Sequence, residues 1–313
     1  MNIALMGATS HIAKGLIHRF LHRGIDHLYL FARSSDSIHR FLEAIETAEN
    51  GSYSVCTDYQ TFASFPYDVV INCVGVETRN KHDCDFTRYF ALTEHFDNLA
   101  IAYLKDRNPE ALYVSFSSGA VYGRGFSIPA NEDSINSVRV NQLDDEDYYG
   151  IVRINAEAKH RAHKLLNIVD LRVFSYFSRF INLTDGYFIT DLMQSIINDK
   201  VLITDDSNMV RDYLSPDDLF SMIQCCINVR SLNCAFDVNS SRPVSKQDIL
   251  DYFAAEYELR YAIRQVLKTS STTGTKTNYY STNNDSSRIG YRPRFSSMDT
   301  LRYEARHILR RIS

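Results

Sequence analysis

Along this chain, short apolar runs alternate with stretches whose apolar residues recur at helical spacing. Asn2–Met6 reads as a strand. After the turn Gly7-Ala8-Thr9-Ser10-His11-Ile12-Ala13, the residues Ile12, Leu16, Ile17, Phe20 and Leu21 fall on one side of a helix. Further strands are predicted at 27–32, 68–75, 111–116 and 168–174, and the run at 68–75 is so continuously apolar that it belongs inside a parallel sheet. Between them, 86–104 reads as an amphipathic helix whose apolar face (Phe90, Leu92, Phe96, Leu99, Tyr103) serves as core or as a subunit interface. A helix over 188–200 follows, with Phe188, Leu192 and Ile196 on one face, then a strand at 201–203. Ser215-Pro216-Asp217-Asp218 starts a helix well, a strand covers 236–239, and Ser245 caps a helix that runs through Phe253. Residues 78–85 read as a polar loop, and 268–284, rich in Ser, Thr and Asn, as an exposed one.

Composition mainly excludes. A chain of 313 residues can bury a large core as one large or two modest domains. A net charge of -4 and a pI near 6.2 give no basic footprint for nucleic acid. The six cysteines (Cys56, Cys73, Cys84, Cys225, Cys226, Cys234) are scattered among apolar runs without metal-ligand spacing, so reduced thiols are expected, with no disulfide and no metal. No apolar run approaches the ~18 residues that cross a bilayer, and a strand begins within two residues of Met1. The expectation is a cytoplasmic protein without a membrane partner.

Candidate chemistry lies in two stretches. The strand at 111–116 empties into Ser117-Ser118-Gly119-Ala120-Val121-Tyr122-Gly123, which puts hydroxyls at the carboxyl end of a strand, where open α/β sheets take ligands. About thirty residues on, Tyr149 and Arg153 stand four positions apart and share a helical face. The acidic run Asp144-Asp145-Glu146-Asp147 before them fits carboxylates that offset the positive end of a helix, in preference to a metal site. His160 and His163, in a Lys/Arg-rich stretch, read as solvated.

These segments resemble the active site of the extended short-chain dehydrogenase/reductase family, the nucleotide-sugar epimerases, dehydratases and reductases. The resemblance runs nearly the full length, to Asp285-Ser286-Ser287-Arg288-Ile289-Gly290-Tyr291-Arg292-Pro293. It implies an α/β fold, a Rossmann-type doubly wound parallel sheet with a smaller mixed α/β C-terminal substrate domain. Residues 1–174 would form the dinucleotide-binding domain, with 209–240 returning to it, and 175–208 with 241–313 the substrate domain. By the same likeness Ser118, three residues before Val121-Tyr122-Gly123, polarises a substrate carbonyl, while Tyr149 and Arg153 stand where the family has Tyr-x-x-x-Lys. Arg keeps the charge of that Lys but brings a larger planar fork. Glu157 matches a family acid on the same helix, whereas Ser175 to Arg179 keeps only a general likeness to the usual Asn-x-Tyr-Gly-Pro-Arg.

For the cofactor, the likeness points to Gly7, Thr9, Ser10, His11 and Ile12 at the phosphate turn, although Ser10 and Ala13 replace the second and third glycines. Asp58 would lie beside the adenine, Cys73, Val74 and Gly75 along the dinucleotide, and Tyr149 and Arg153 at its ribose. The second strand ends in Arg33 and Ser34 with no acid before Asp36, which favours NADP(H), with NAD(H) possible. Ser117, Tyr122 and Arg211 are the expected contacts to a nucleotide-diphosphate sugar, Arg211 through the diphosphate. The implied activity is NADPH-dependent reduction of a keto-sugar nucleotide by a homodimer. The alternatives are a nucleotide-sugar epimerase with tightly bound NAD, or a non-catalytic module that binds NADP or a nucleotide-sugar. A 4,6-dehydratase is disfavoured, because Gly119-Ala120 stand where those relatives carry Asp-Glu.

Overall fold

A computed structural model describes residues 1–24, 26–45, 51–75, 85–229, 231–264 and 276–310. Seven strands form the central sheet: β1 (Asn2–Met6), β2 (His27–Phe31), β3 (Ser52–Cys56), β4 (Val69–Asn72), β5 (Leu112–Ser118), β6 (Asn167–Val173) and β7 (Asn233–Val238). All pairs are parallel, in the order β7-β6-β5-β4-β1-β2-β3. The chain therefore moves outward from β1 to β3, crosses back to β4, and builds the other half. The reversal opens a crevice beyond the carboxyl ends of β1 and β4, where this architecture takes ligands.

Among the described residues eight helices accompany it: α1 (His11–Arg23), α2 (Ser35–Glu43), α3 (Thr87–Asp106), α4 (Tyr148–Ala162), α5 (Phe188–Ile197), α6 (Pro216–Asn228), α7 (Lys246–Tyr257) and α8 (Ser297–Leu309). The strands' two-residue alternation sorts the core. Ile3, Leu5, Leu28, Leu30, Ile71, Val114 and Leu171 pack with α1, α2 and α6, while Ala4, Met6, Phe31, Val70, Tyr113 and Ile168 pack with α3 on the opposite face. A separate core of Phe177, Leu192, Met193, Leu202, Ile249, Leu250, Phe253 and Leu301 joins α5, α7 and α8.

Helix ends follow local chemistry. Ser215 accepts from Asp218 N–H with Pro216 in the first turn of α6, and Ser245 accepts from Asp248 N–H before α7. The acidic run behaves differently from a cap: Asp147 precedes α4 without a capping bond, and Arg124 instead gathers Asp144, Glu146 and Asp147. On α3 the buried row is Tyr89, Asp97, Ala100, Ile101, Tyr103 and Leu104, so only Tyr103 of the five expected apolar residues is fully covered. Asp97 displaces that stripe because it has buried partners on α4 and β5.

The segment expected as an exposed loop is a correction. Its residues 268–275 lie outside the described residues, but Asn278–Tyr279 forms a strand parallel to Val210–Arg211, which also pairs antiparallel with Val244–Ser245. Asn278 N–H donates to Phe126 O, and Ala130 exchanges hydrogen bonds with Tyr280 and Thr282, so this strand is stitched to the loop after β5. Of the loop expected at 78–85, only Asp85 is described, and Cys84 lies outside as well.

Candidate active site

The crevice begins at Gly7. Its φ of 71° suits glycine, and a Cβ there would stand 3.0 Å from the Cys73–Val74 peptide, so the turn after β1 lies directly against the end of β4. Beyond it Gly75 faces open space. The α1 N-terminus opens here too, with Thr9 exposed and Ile12 packed against the core below. Ser10 caps α1 by accepting from Ala13 N–H at 3.4 Å, and the Gly7 N–H is taken by the Tyr59 hydroxyl. His11 turns inward to Ser178 Oγ at 2.8 Å, and burial lowers it to about 3, which keeps the imidazole neutral. Burial also pushes the Cys73 thiol well up.

At the end of β2, Arg33 is exposed and makes no hydrogen bond or ion pair among the described residues. Ser34 opens α2 without a side-chain capping bond. Asp58 at the end of β3 accepts locally from Gln60 N–H.

Ser118, Tyr149 and Arg153 are brought together by a close helix contact. A Cβ on Gly150 would stand 2.6 Å from Ala120 O, so α4 rests directly on the turn Gly119–Tyr122 that Ser118 begins. Arg153 Nη1 donates to Phe116 O at 3.1 Å, and its Cζ lies 5.2 Å from the centre of the Tyr149 ring. Burial opposes the Arg153 charge, but the Tyr149 phenol, with Asp97 and Tyr113 beyond it, more than restores it, so the guanidinium stays charged.

Tyr279 is the residue sequence reasoning missed. Its hydroxyl stands 2.9 Å from Ser118 Oγ, and its ring packs between Phe126 and Phe174. The only trace in the sequence was an aromatic pair, Tyr279-Tyr280, inside a run of Ser, Thr and Asn.

Arg211 is adjacent in register to Tyr279, with its Cζ 5.9 Å from that ring. It is 5% exposed and donates to the carbonyls of Val210 and Thr277. No carboxylate pairs with it among the described residues. Asp212, its neighbour in the chain, accepts from Ser240 N–H and Ser297 Oγ instead. Burial without a counter-charge lowers the Arg211 pKa.

Two expected contacts have other partners. Ser117 donates to Glu157 at 2.7 Å, Arg172 grips Glu157 and donates to the Tyr122 hydroxyl at 2.7 Å, and Tyr122 donates to Asp237 at 2.9 Å. By strand alternation Ser117 points to the face opposite Ser118. His160 is a correction in the same sense: it is 0% exposed, between Asp170 (2.8 Å from Nδ1) and Asp97 (3.3 Å from Nε2), rather than solvated.

Comparison with curated proteins finds no match. Solved structures are similar over the whole chain. A UDP-N-acetylglucosamine 4-epimerase from Methanobrevibacter ruminantium, in complex with UDP-N-acetylmuramic acid, is 13% identical, covering 99% of this chain and 98% of that one at TM-score 0.81. A UDP-glucuronic acid 4-epimerase variant from Bacillus cereus, with NAD and a fluorinated UDP-glucuronic acid, is 17% identical over 99% of both chains at TM-score 0.81. A UDP-glucose 4-epimerase from Stenotrophomonas maltophila with bound NAD is 16% identical, covering 100% of this chain and 98% of that one, again at TM-score 0.81. At these identities the likeness establishes the doubly wound fold. Residues 3–234 match the model of the NAD dependent epimerase/dehydratase family, and the chain belongs to that enzyme family.

Proposed function

We propose that this protein is a nucleotide-sugar epimerase that keeps its nicotinamide dinucleotide through turnover. The observation that carries the reading is Arg211, a buried guanidinium without a carboxylate partner among the described residues, one strand away from the tyrosine that touches Ser118. A charge left uncompensated in the interior is costly, and the two oxygens of a diphosphate match its fork. A diphosphate there would place the sugar toward Ser118 and Tyr149. The neighbours that bind UDP-sugars and NAD support epimerisation over net reduction.

The crevice fits a dinucleotide. Gly7 allows backbone approach, Gly75 leaves room, and the α1 N-terminus with Thr9, Ser10, His11 and Ile12 offers donors to a pyrophosphate. Arg33, Ser34 and Asp58 would flank the adenosine, Cys73 and Val74 the middle, and Tyr149 and Arg153 the nicotinamide ribose. Bound there, the nicotinamide supplies reversible hydride transfer. Tyr149 takes the proton of the sugar hydroxyl as the carbonyl forms and gives it back after the sugar turns its other face. Ser118 donates to that same oxygen, and Arg153 holds a fixed positive charge beside the phenol. Ser117 and Tyr122 stiffen the wall behind Ser118 through Glu157, Arg172 and Asp237.

The test is incubation of the purified protein, supplied with NAD, with UDP-glucose, UDP-N-acetylglucosamine and UDP-glucuronic acid, read by proton NMR. An epimer should appear with at least one of them, and Tyr149→Phe should slow it by about 10²–10⁴-fold. Conversion that survives Tyr149→Phe would contradict this assignment.

One observation favours a second reading, NADPH-dependent reduction of a keto-sugar nucleotide. Arg33 is exposed and makes no hydrogen bond or ion pair among the described residues, beside the uncapped start of α2, which suits a 2′-phosphate. A reductase consumes one NADPH per product, whereas an epimerase consumes none. Absorbance of the nicotinamide during turnover separates them.

A further inference from the structure

We infer that Tyr279 is a positioning residue that forces Ser118 to act as a hydrogen-bond donor toward the sugar oxygen. The inference rests on the proposed epimerase reading and adds a residue from the far end of the chain to its machinery.

Lone pairs and protons decide the direction of this hydrogen bond. A serine hydroxyl has one proton to give and two lone pairs to receive. Ser118 Oγ receives the Ala120 N–H at 3.3 Å and stands 2.9 Å from the Tyr279 hydroxyl. If Tyr279 donates, both lone pairs are filled and the single Ser118 proton is free for a ligand. If Ser118 donated instead, it would have nothing left to polarise a carbonyl. A phenol is much the stronger acid of the two, so it is the natural donor in this pair. Burial raises the Tyr279 pKa further, so the phenol keeps its proton at neutral pH.

The surroundings hold the phenol in that role. Arg211 Cζ lies 5.9 Å and Lys276 Nζ 4.2 Å from the ring centre, and two cations over a ring draw charge away from its oxygen. Phe126 and Phe174 pack against the ring at 4.8 and 5.2 Å between centres. The backbone around it is tied down: Asn278 N–H donates to Phe126 O, and Tyr279 is in register with Arg211. A residue 161 positions from Ser118 is thus delivered with its hydroxyl on the one side chain whose proton direction matters.

The test is a double-mutant cycle with Tyr279→Phe, Ser118→Ala and the pair. Tyr279→Phe keeps the ring packing and removes only the hydroxyl, so thermal unfolding should stay close to wild type. Its kcat should fall about tenfold, the worth of one hydrogen bond in a dry site, with KM within about twofold. In the Ser118→Ala background the same substitution should cost nothing further, because the group it acts through has gone. Unchanged kcat in Tyr279→Phe, or losses that multiply in the double variant, would overturn the inference while an active wild type left the epimerase reading standing. A rise in kcat would equally overturn it, marking Tyr279 as an obstruction. A wild type inactive on every nucleotide-sugar would overturn the functional reading and this inference with it.

Discussion

Arg153 shows how one replacement reshapes a site. A lysine at this place would bring a point charge, whereas the guanidinium reaches Phe116 O with Nη1 while its plane lies over Tyr149. We therefore expect Arg153→Lys to retain the charge, lose that shared geometry, and lower kcat by about tenfold or more in steady-state assays. An unchanged kcat would show that charge alone is enough. Arg211 differs, since it is proposed to bind the diphosphate equally in ground and transition states. Arg211→Ala should raise KM by about 10- to 100-fold and leave kcat within a few-fold. His160 concerns stability. Burial alone would lower its pKa, but the hydrogen bond to Asp170, the Asp97 carboxylate 3.3 Å from Nε2 and the charges of both raise it to about 9 from an ordinary 6.5. A raised folded pKa means the stabilisation is complete below pH 6.5 and is lost as pH rises through 9, by about 3 kcal/mol at most. Urea midpoints at pH 6 and 9.5 should show that fall, and His160→Gln should flatten it.

Among the elements, α4 matters most, because its approach to the turn after β5 sets the distance between Tyr149 and Ser118. Gly150 permits that approach, with Ala120 O only 2.6 Å from where a Cβ would be. Gly150→Ala should destabilise the fold by about 1–3 kcal/mol and depress turnover more than the stability loss explains, as thermal unfolding and kcat measured together would show. The start of α1 makes the opposite case. Ser10 caps the helix through its hydroxyl, so Ser10→Gly should cost only a few tenths of a kcal/mol in the cap. The same change should tighten dinucleotide binding measured by nicotinamide fluorescence, and weaker binding would mean that the Ser10 hydroxyl itself holds phosphate. Elements such as these were largely legible in the sequence. Apolar period, Ser caps and the Gly7 turn are local properties, and the four-residue spacing already put Tyr149 and Arg153 on one face. The residues that escaped owe their places to distant partners. His160, on α4, is buried against Asp97 of α3, far from it in sequence, and Tyr279 lies in a run whose composition alone signals a loop. Polar composition describes a segment's solubility, not the strand it can pair with.

For the molecule as a whole, the doubly wound sheet provides the crevice, a second core joins α5, α7 and α8, and Tyr279 packs in a smaller cluster with Phe126, Ala130 and Phe174. Residues 278–282 are stitched to 126–130 by backbone hydrogen bonds, and Tyr279 stands in register with Arg211. That arrangement explains why Tyr279 was not legible in the sequence: its place depends on where a late segment lands on the loop after β5. It also gives the central claim a direct test. The purified protein, supplied with NAD, is mixed with UDP-sugars bearing a free 4-hydroxyl, and sugar configuration is followed by NMR while nicotinamide absorbance is recorded in parallel. The account predicts an equilibrium mixture of epimers with no net change in the nicotinamide. Absence of any epimer, or product formed only as NADPH is consumed one for one, would contradict it.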